Sequence, residues 1–171
     1  MTTASNEQTE RDELLSALER HRGFLRQTVD GISDEQAAQR TTVSELCLGG
    51  LVKHVTRMET RWVDFILRGP DAISMDETSY AEHAASFRME SDDTVGSLLA
   101  DYDTAARESE KIVRGLPSLD VEHPLPEAPW FEPGASWSAR RVLLHVLAET
   151  SQHAGHADIV REAIDGAKTM G

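Results

Sequence analysis

At 171 residues the chain has the size of one ordinary domain and can bury a core without disulfides or a structural metal. Thirty acidic against seventeen basic residues give a formal net charge of −13, which argues against a nucleic-acid partner and against docking on an anionic membrane. The single cysteine, Cys47, excludes an internal disulfide, and the absence of a basic-then-apolar leader or a long apolar run sets the expectation of a cytoplasmic protein.

Residues 1–8 are polar and are expected to fray. Beyond them Leu14, Leu15, Leu18, Phe24, Leu25 and Val29 recur at helical spacing up to Gly31. Ile32 to Val43 reads as a connector holding one helical turn, and Ser44 is the expected N-cap of a second helix that runs to Leu67 and ends at Gly69-Pro70. Asp71 to Glu90 lacks a sustained period and reads as a long connection with one turn around Ala81 to Phe87. Ser91-Asp92-Asp93 offers caps to a third helix carried by Val95, Leu98, Leu99, Tyr102, Ala106 and Ile112 as far as Gly115. Leu116 to Trp137 holds most of the prolines and is expected to be a second long loop with no regular element. Ser138 caps a fourth helix, which Gly166 stops. The fold class is therefore all-α: one four-helix bundle over residues 1–171, with long connections between helices two and three and between three and four.

The fourth helix carries the chemistry. His145, Glu149, His153 and His156 share about 100° of helical arc with Val142, Val146, Val160 and Ala163, whereas Arg140, Ser151, Asp158 and Glu162 fall opposite and mark the expected solvent face. An inward imidazole or carboxylate without a partner costs about 2 kcal/mol or more, so several together ask for a shared partner such as a metal ion. Glu149 and His153 stand at i and i+4, the spacing that lets two side chains converge on one ion.

In the second helix His54 is centred on the apolar face formed by Cys47, Leu51, Met58, Trp62 and Phe65. Alone it would read as a core histidine satisfied by backbone or a hydroxyl; together with the fourth-helix stripe it becomes a candidate ligand. Geometry does not choose among the four inward groups of the fourth helix. His156 could be a further ligand, a hydrogen-bond partner of a ligand or a proton carrier, and His145 could belong to the site or to the core. His21, His83 and His123 read as solvent-exposed, and Cys47 as a small buried hydrophobe. Trp130, Phe131 and Trp137 form either a lid on the bundle end or, with Met58 and Trp62, the wall of a substrate pocket.

This arrangement resembles the DinB-like superfamily, which includes YfiT-like metal-dependent proteins and the metal-binding domain of mycothiol-dependent maleylpyruvate isomerase. The resemblance rests on the inward histidine of Gly50-Leu51-Val52-Lys53-His54 and on Glu149-Thr-Ser-Gln-His153, similar to the Glu-x-x-x-His of the isomerase branch rather than to the commoner His-x-x-x-His. The stretch from Trp137 through His153-Ala-Gly-His156-Ala-Asp158 also resembles an uncharacterised actinobacterial branch. What the resemblance implies is a metal triad of His54, Glu149 and His153, a divalent ion such as zinc or nickel, and a homodimer as in related bundles.

Three protein ligands leave an open coordination position, the pattern of a catalytic metal. The superfamily's activities then imply a thiol-dependent transferase or isomerase acting on an electrophilic substrate. Arginines far outnumber lysines, which suggests GC-rich codons and makes mycothiol the expected small-molecule thiol. His156 and His145 are the candidate general bases or outer hydrogen-bond partners. The alternatives are a metal-dependent hydrolase, or a non-catalytic stress-response protein in which the metal only braces the bundle.

Overall fold

The apolar spacing that becomes visible at Leu14 belongs to a helix that starts much earlier. In the structure, a computed structural model that describes residues 2–169 (residues 2–5 by backbone alone), α1 spans Thr2–Thr28. A single turn, α2, covers Asp34–Ala37 and is followed by α3, Leu48–Arg68. A 3-10 turn at Gly69–Ala72 leads to α4, Glu77–Ala85, and then to α5, Val95–Gly115. Two short strands, β1 (Glu122–Pro124) and β2 (Ser136–Ser138), pair antiparallel before α6, Ala139–Asp165. The four long helices α1, α3, α5 and α6 form the bundle: α6 packs along α1 and α3, and α3 also packs along α5. Among the described residues no helix is long and apolar enough to cross a membrane.

Several expectations need correction. Of the segment expected to fray, Met1 lies outside the described residues, and the rest is helical. Its anchor is Glu7, whose carboxylate accepts from the Leu119 backbone N–H at 2.6 Å and pairs with Arg11 at 3.2 Å. Arg11 in turn donates to the Val113, Arg114 and Leu116 carbonyls at 3.0–3.1 Å, satisfying the exposed end of α5.

Ser44 does not cap α3. Its hydroxyl accepts from Leu46 N–H, and the helix begins after Cys47, which makes no side-chain cap. At α5 the cap is Thr94, in a reciprocal box with Ser97, while Asp93 accepts from the Glu90 N–H and pairs with Lys53 at 2.7 Å. The turn expected near Ala81 is a nine-residue helix capped by Asp76, whose side chain accepts from Ser79 N–H at 2.7 Å. The proline-rich connection contains a strand pair that ends at Pro124, where the ladder loses a donor.

The expected solvent face of α6 is only partly that. Ser151 hydrogen-bonds His21 of α1 at 3.2 Å, Thr150 is fully buried, and Arg140 pairs with Glu10 and Asp120. Because α6 lies between α1 and α3, two of its faces are covered, and solvent meets a narrower strip that includes Leu144 and Ile159.

One core cluster centres on Leu51, Val55, Leu98 and Tyr102, a second on Phe65, Ile66, Val142 and Val146. Between α1 and α3 lies a buried ion pair, in which the Arg22 guanidinium grips Glu59 through two nitrogens, with both side chains at most 2% exposed. Such a pair is tolerated because the bidentate geometry returns much of the desolvation cost.

Candidate metal centre

His54 sits on the inner face of α3 and is 4% exposed, a consequence of the apolar stripe around it. Its ring stacks on Phe87, with centroids 3.8 Å apart and planes 20° from parallel. Its Nδ1 lies 3.0 Å from the Ser86 hydroxyl, which itself donates to the His83 carbonyl at 2.6 Å. A hydroxyl has one proton, so Ser86 must accept from His54, and Nδ1 carries the hydrogen. That leaves Nε2 as a lone pair.

From α6, Glu149 and His153 complete the group. One ligating atom from each of His54, Glu149 and His153 lies within 4.8 Å of the others. His153 is 9% exposed, with its Nε2 3.6 Å from Glu149 Oε2. Burial is the main reason that both imidazoles resist protonation: His54 is pushed down from the usual 6.5 to about 3, helped by its neighbour His153, and His153 to about 4, helped by His156. At neutral pH both imidazoles are thus neutral, and with the Glu149 side chain they form a donor set suited to a borderline divalent cation.

The other histidines take separate places. His156 is half-buried beside the group, its Nδ1 3.4 Å from Nδ1 of His153. His145 lies against Trp62 and Trp137, with centroids at 4.8 and 5.1 Å. His83 is exposed as expected, yet it stands edge-on to His54 at 5.1 Å, on the rim of the site. His21 and His123 are half-buried rather than exposed: His21 meets Ser151, and His123 Nε2 donates to the Ile66 carbonyl at 3.1 Å.

A cavity of about 450 Å³ opens onto His54 and Glu149. Its walls are largely apolar, built from Met58 and Trp62 of α3, Tyr80 of α4, and Trp130 and Phe131 of the proline-rich loop. Trp137, expected in the wall, stands behind it and stacks on Trp62 at 4.7 Å, while Arg141 covers its ring at 4.2 Å. Sequence reasoning missed Ser86, a loop hydroxyl with no periodic signal, and Arg61, which also lines the cavity.

A family model described as mycothiol-S-transferase matches residues 13–166. The chain belongs to the mycothiol-S-transferase family. As a member of this family it is DinB-like, and the family match runs through both halves of the His54, Glu149 and His153 group. No curated protein matches the chain. Among solved structures it is similar to a conserved protein from Enterococcus faecalis, with a TM-score of 0.63 at 13% identity over 91% of this chain and 97% of that one. That likeness concerns the fold of the mycothiol-S-transferase chain and not its chemistry.

Proposed function

We propose that the protein is a divalent-metal-dependent S-transferase that uses mycothiol as its thiol, with His54, Glu149 and His153 as ligands and zinc or nickel as the metal. The observation that carries this reading is the group of two buried imidazoles and the half-buried Glu149 carboxyl at the inner end of an aromatic cavity, in a chain of the mycothiol-S-transferase family. A divalent ion held there would leave a coordination position at which a thiol loses its proton at neutral pH.

The chain's own residues supply the rest. Ser86 fixes the tautomer of His54, so that Nε2 faces the site without a proton. His156 can do the same for His153, by accepting from its Nδ1–H and leaving Nε2 beside Glu149. His145, kept neutral chiefly by burial, offers the cavity wall a ring nitrogen able to take the thiol's proton. Trp62, Phe131 and Trp130 exclude water from the apolar part of the electrophile.

The test is metal content together with turnover. Protein purified without chelator should hold close to one divalent ion per chain and should join mycothiol, in preference to glutathione, to a small electrophile only when metal is present. Transfer that survives complete chelation, or protein that takes up no metal on titration, would overturn the reading.

Two variant series refine it. Glu149→Gln should weaken metal affinity by well over about 100-fold, whereas His156→Ala should stay within the roughly 10- to 100-fold expected for losing an outer hydrogen-bond partner. The reverse order, read by competition with a chromophoric chelator, would replace Glu149 by His156 in the ligand set. Ser86→Ala should cost a similar 10- to 100-fold, and unchanged affinity there would show that the Nδ1 hydrogen bond does not orient His54.

A further inference from the structure

Among the side chains that line the cavity are one acidic and one basic group, at different places in it. One is Glu149 at its inner end. The other is Arg61, on α3 seven residues beyond His54 and therefore on the same side of the helix, about 10 Å along the axis. Arg61 donates to the Ser74 carbonyl, and among the described residues no carboxylate lies within ion-pairing distance of it. Its neighbour Arg57, by contrast, is paired with Glu82 at 2.7 Å.

A guanidinium presents five donors, and one carbonyl satisfies only part of them. Partial burial, with Arg57 adding repulsion, lowers the pKa of Arg61, and this outweighs the opposing pull of Glu82, Tyr80 and Asp76, none of which is ion-paired with it. Its guanidinium thus has donors to spare and no ion-pair partner among the described residues. If Glu149 spends its charge on the divalent ion, the cavity as a whole becomes cationic although the protein carries −13.

We propose that Arg61 reads an acidic group on the electrophile, so that the cavity selects a flat aromatic or unsaturated molecule ending in a carboxylate, its body lying between Trp62, Tyr80 and Trp130. The carboxylate would take the fork of donors that Ser74 leaves unused, and the apolar body would span the distance from Arg61 to the thiol site. This rests on the transferase reading for the identity of the ligand as an electrophile. The charge preference itself is a property of the cavity and is measured without turnover.

The probes are 3-phenylpropanoate and its neutral amide, titrated by calorimetry into zinc-loaded and into chelator-stripped protein. The acid should bind at least about 10-fold more tightly than the amide in both forms. Arg61→Gln should abolish that preference while leaving amide binding in place, and Arg61→Lys should keep part of it. Circular dichroism and zinc stoichiometry identify a variant that has failed to fold, in which case Arg61→Lys carries the comparison.

Equal binding of the two probes, no binding of either, or a preference that survives Arg61→Gln would overturn the proposal. So would a preference seen only with zinc, which would show the carboxylate reading the metal. Wild-type protein that transfers mycothiol but binds acid and amide alike would refute only the role of Arg61. Protein that prefers the acid but transfers no thiol would refute only the transferase reading.

Discussion

Taking the metal-free protein from pH 7 to pH 5 is expected to remove about 4 kcal/mol of stability, because two buried histidines refuse protons that the unfolded chain accepts. The unfolded imidazoles titrate near 6.5, while the folded ones are held at about 3 for His54 and about 4 for His153. Their contribution is therefore complete above pH 6.5 and falls away as the pH drops toward the folded values. At pH 5 each histidine accounts for about 2 kcal/mol. The carboxylates with lowered pKa, such as Asp93, act in the same direction but at lower pH.

Metal-free protein should still be folded at pH 7, because its core clusters are built from apolar side chains of all four long helices and need no ion to pack. Urea unfolding of chelated protein at the two pH values measures the difference. A change below about 1 kcal/mol would mean that the two rings reach water and that the site is far more open than the structure has it.

Gly50→Ala should cost about 3 kcal/mol or more, although helix propensity alone favours alanine by about 1 kcal/mol. Gly50 lies in the first turn of α3, and a Cβ there would collide with the carbonyl of Phe87 and come within 2.8 Å of the Arg88 nitrogen. Those are backbone atoms and cannot swing aside. The segment they belong to supplies the Phe87 ring and the Ser86 hydroxyl that hold His54, so metal affinity should fall by more than about 10-fold at the same time. Gly155→Ala is the control: it is exposed in the middle of α6 with nothing near its missing Cβ, and it should stabilise by up to about 1 kcal/mol. Equal effects of the two substitutions, by thermal and urea unfolding, would show that the Phe87 segment is not packed on α3.

The four long helices were legible in the sequence because each has an apolar stripe, and the juxtaposition of His54 with Glu149 and His153 followed from the faces they occupy. What escaped the reading depends on partners distant in the chain. Glu59 looks like a flank position of α3, and only Arg22, thirty-seven residues away, explains why a carboxylate is fully buried there. α4 buries none of its residues, so its nine residues have no strong period and showed as a single turn. The exposed strip of α6 was misjudged because periodicity assumes one covered face, and this helix has two. Ser86 and Arg61 acquire meaning only once α4 and the segments on either side of it fold over the cavity, bringing Ser86 to His54 and the Ser74 carbonyl to Arg61.

The loop that carries Trp130 and Phe131 is closed at its base, by the β1–β2 ribbon and by the Leu125 N–H to Ala135 carbonyl bond at 2.8 Å. Residues 126–134 between those fastenings contain three prolines, and they contribute to the cavity wall but not to the metal-ligand group. Related chains are therefore free to diverge here by substitution, insertion or wholesale exchange of the tip without disturbing the helices that carry His54, Glu149 and His153. On the proposed function, a chimaera carrying a relative's nine-residue tip should take on that relative's range of electrophiles with its affinity for metal unchanged. A change of ligand range is then within reach of small, local genetic changes.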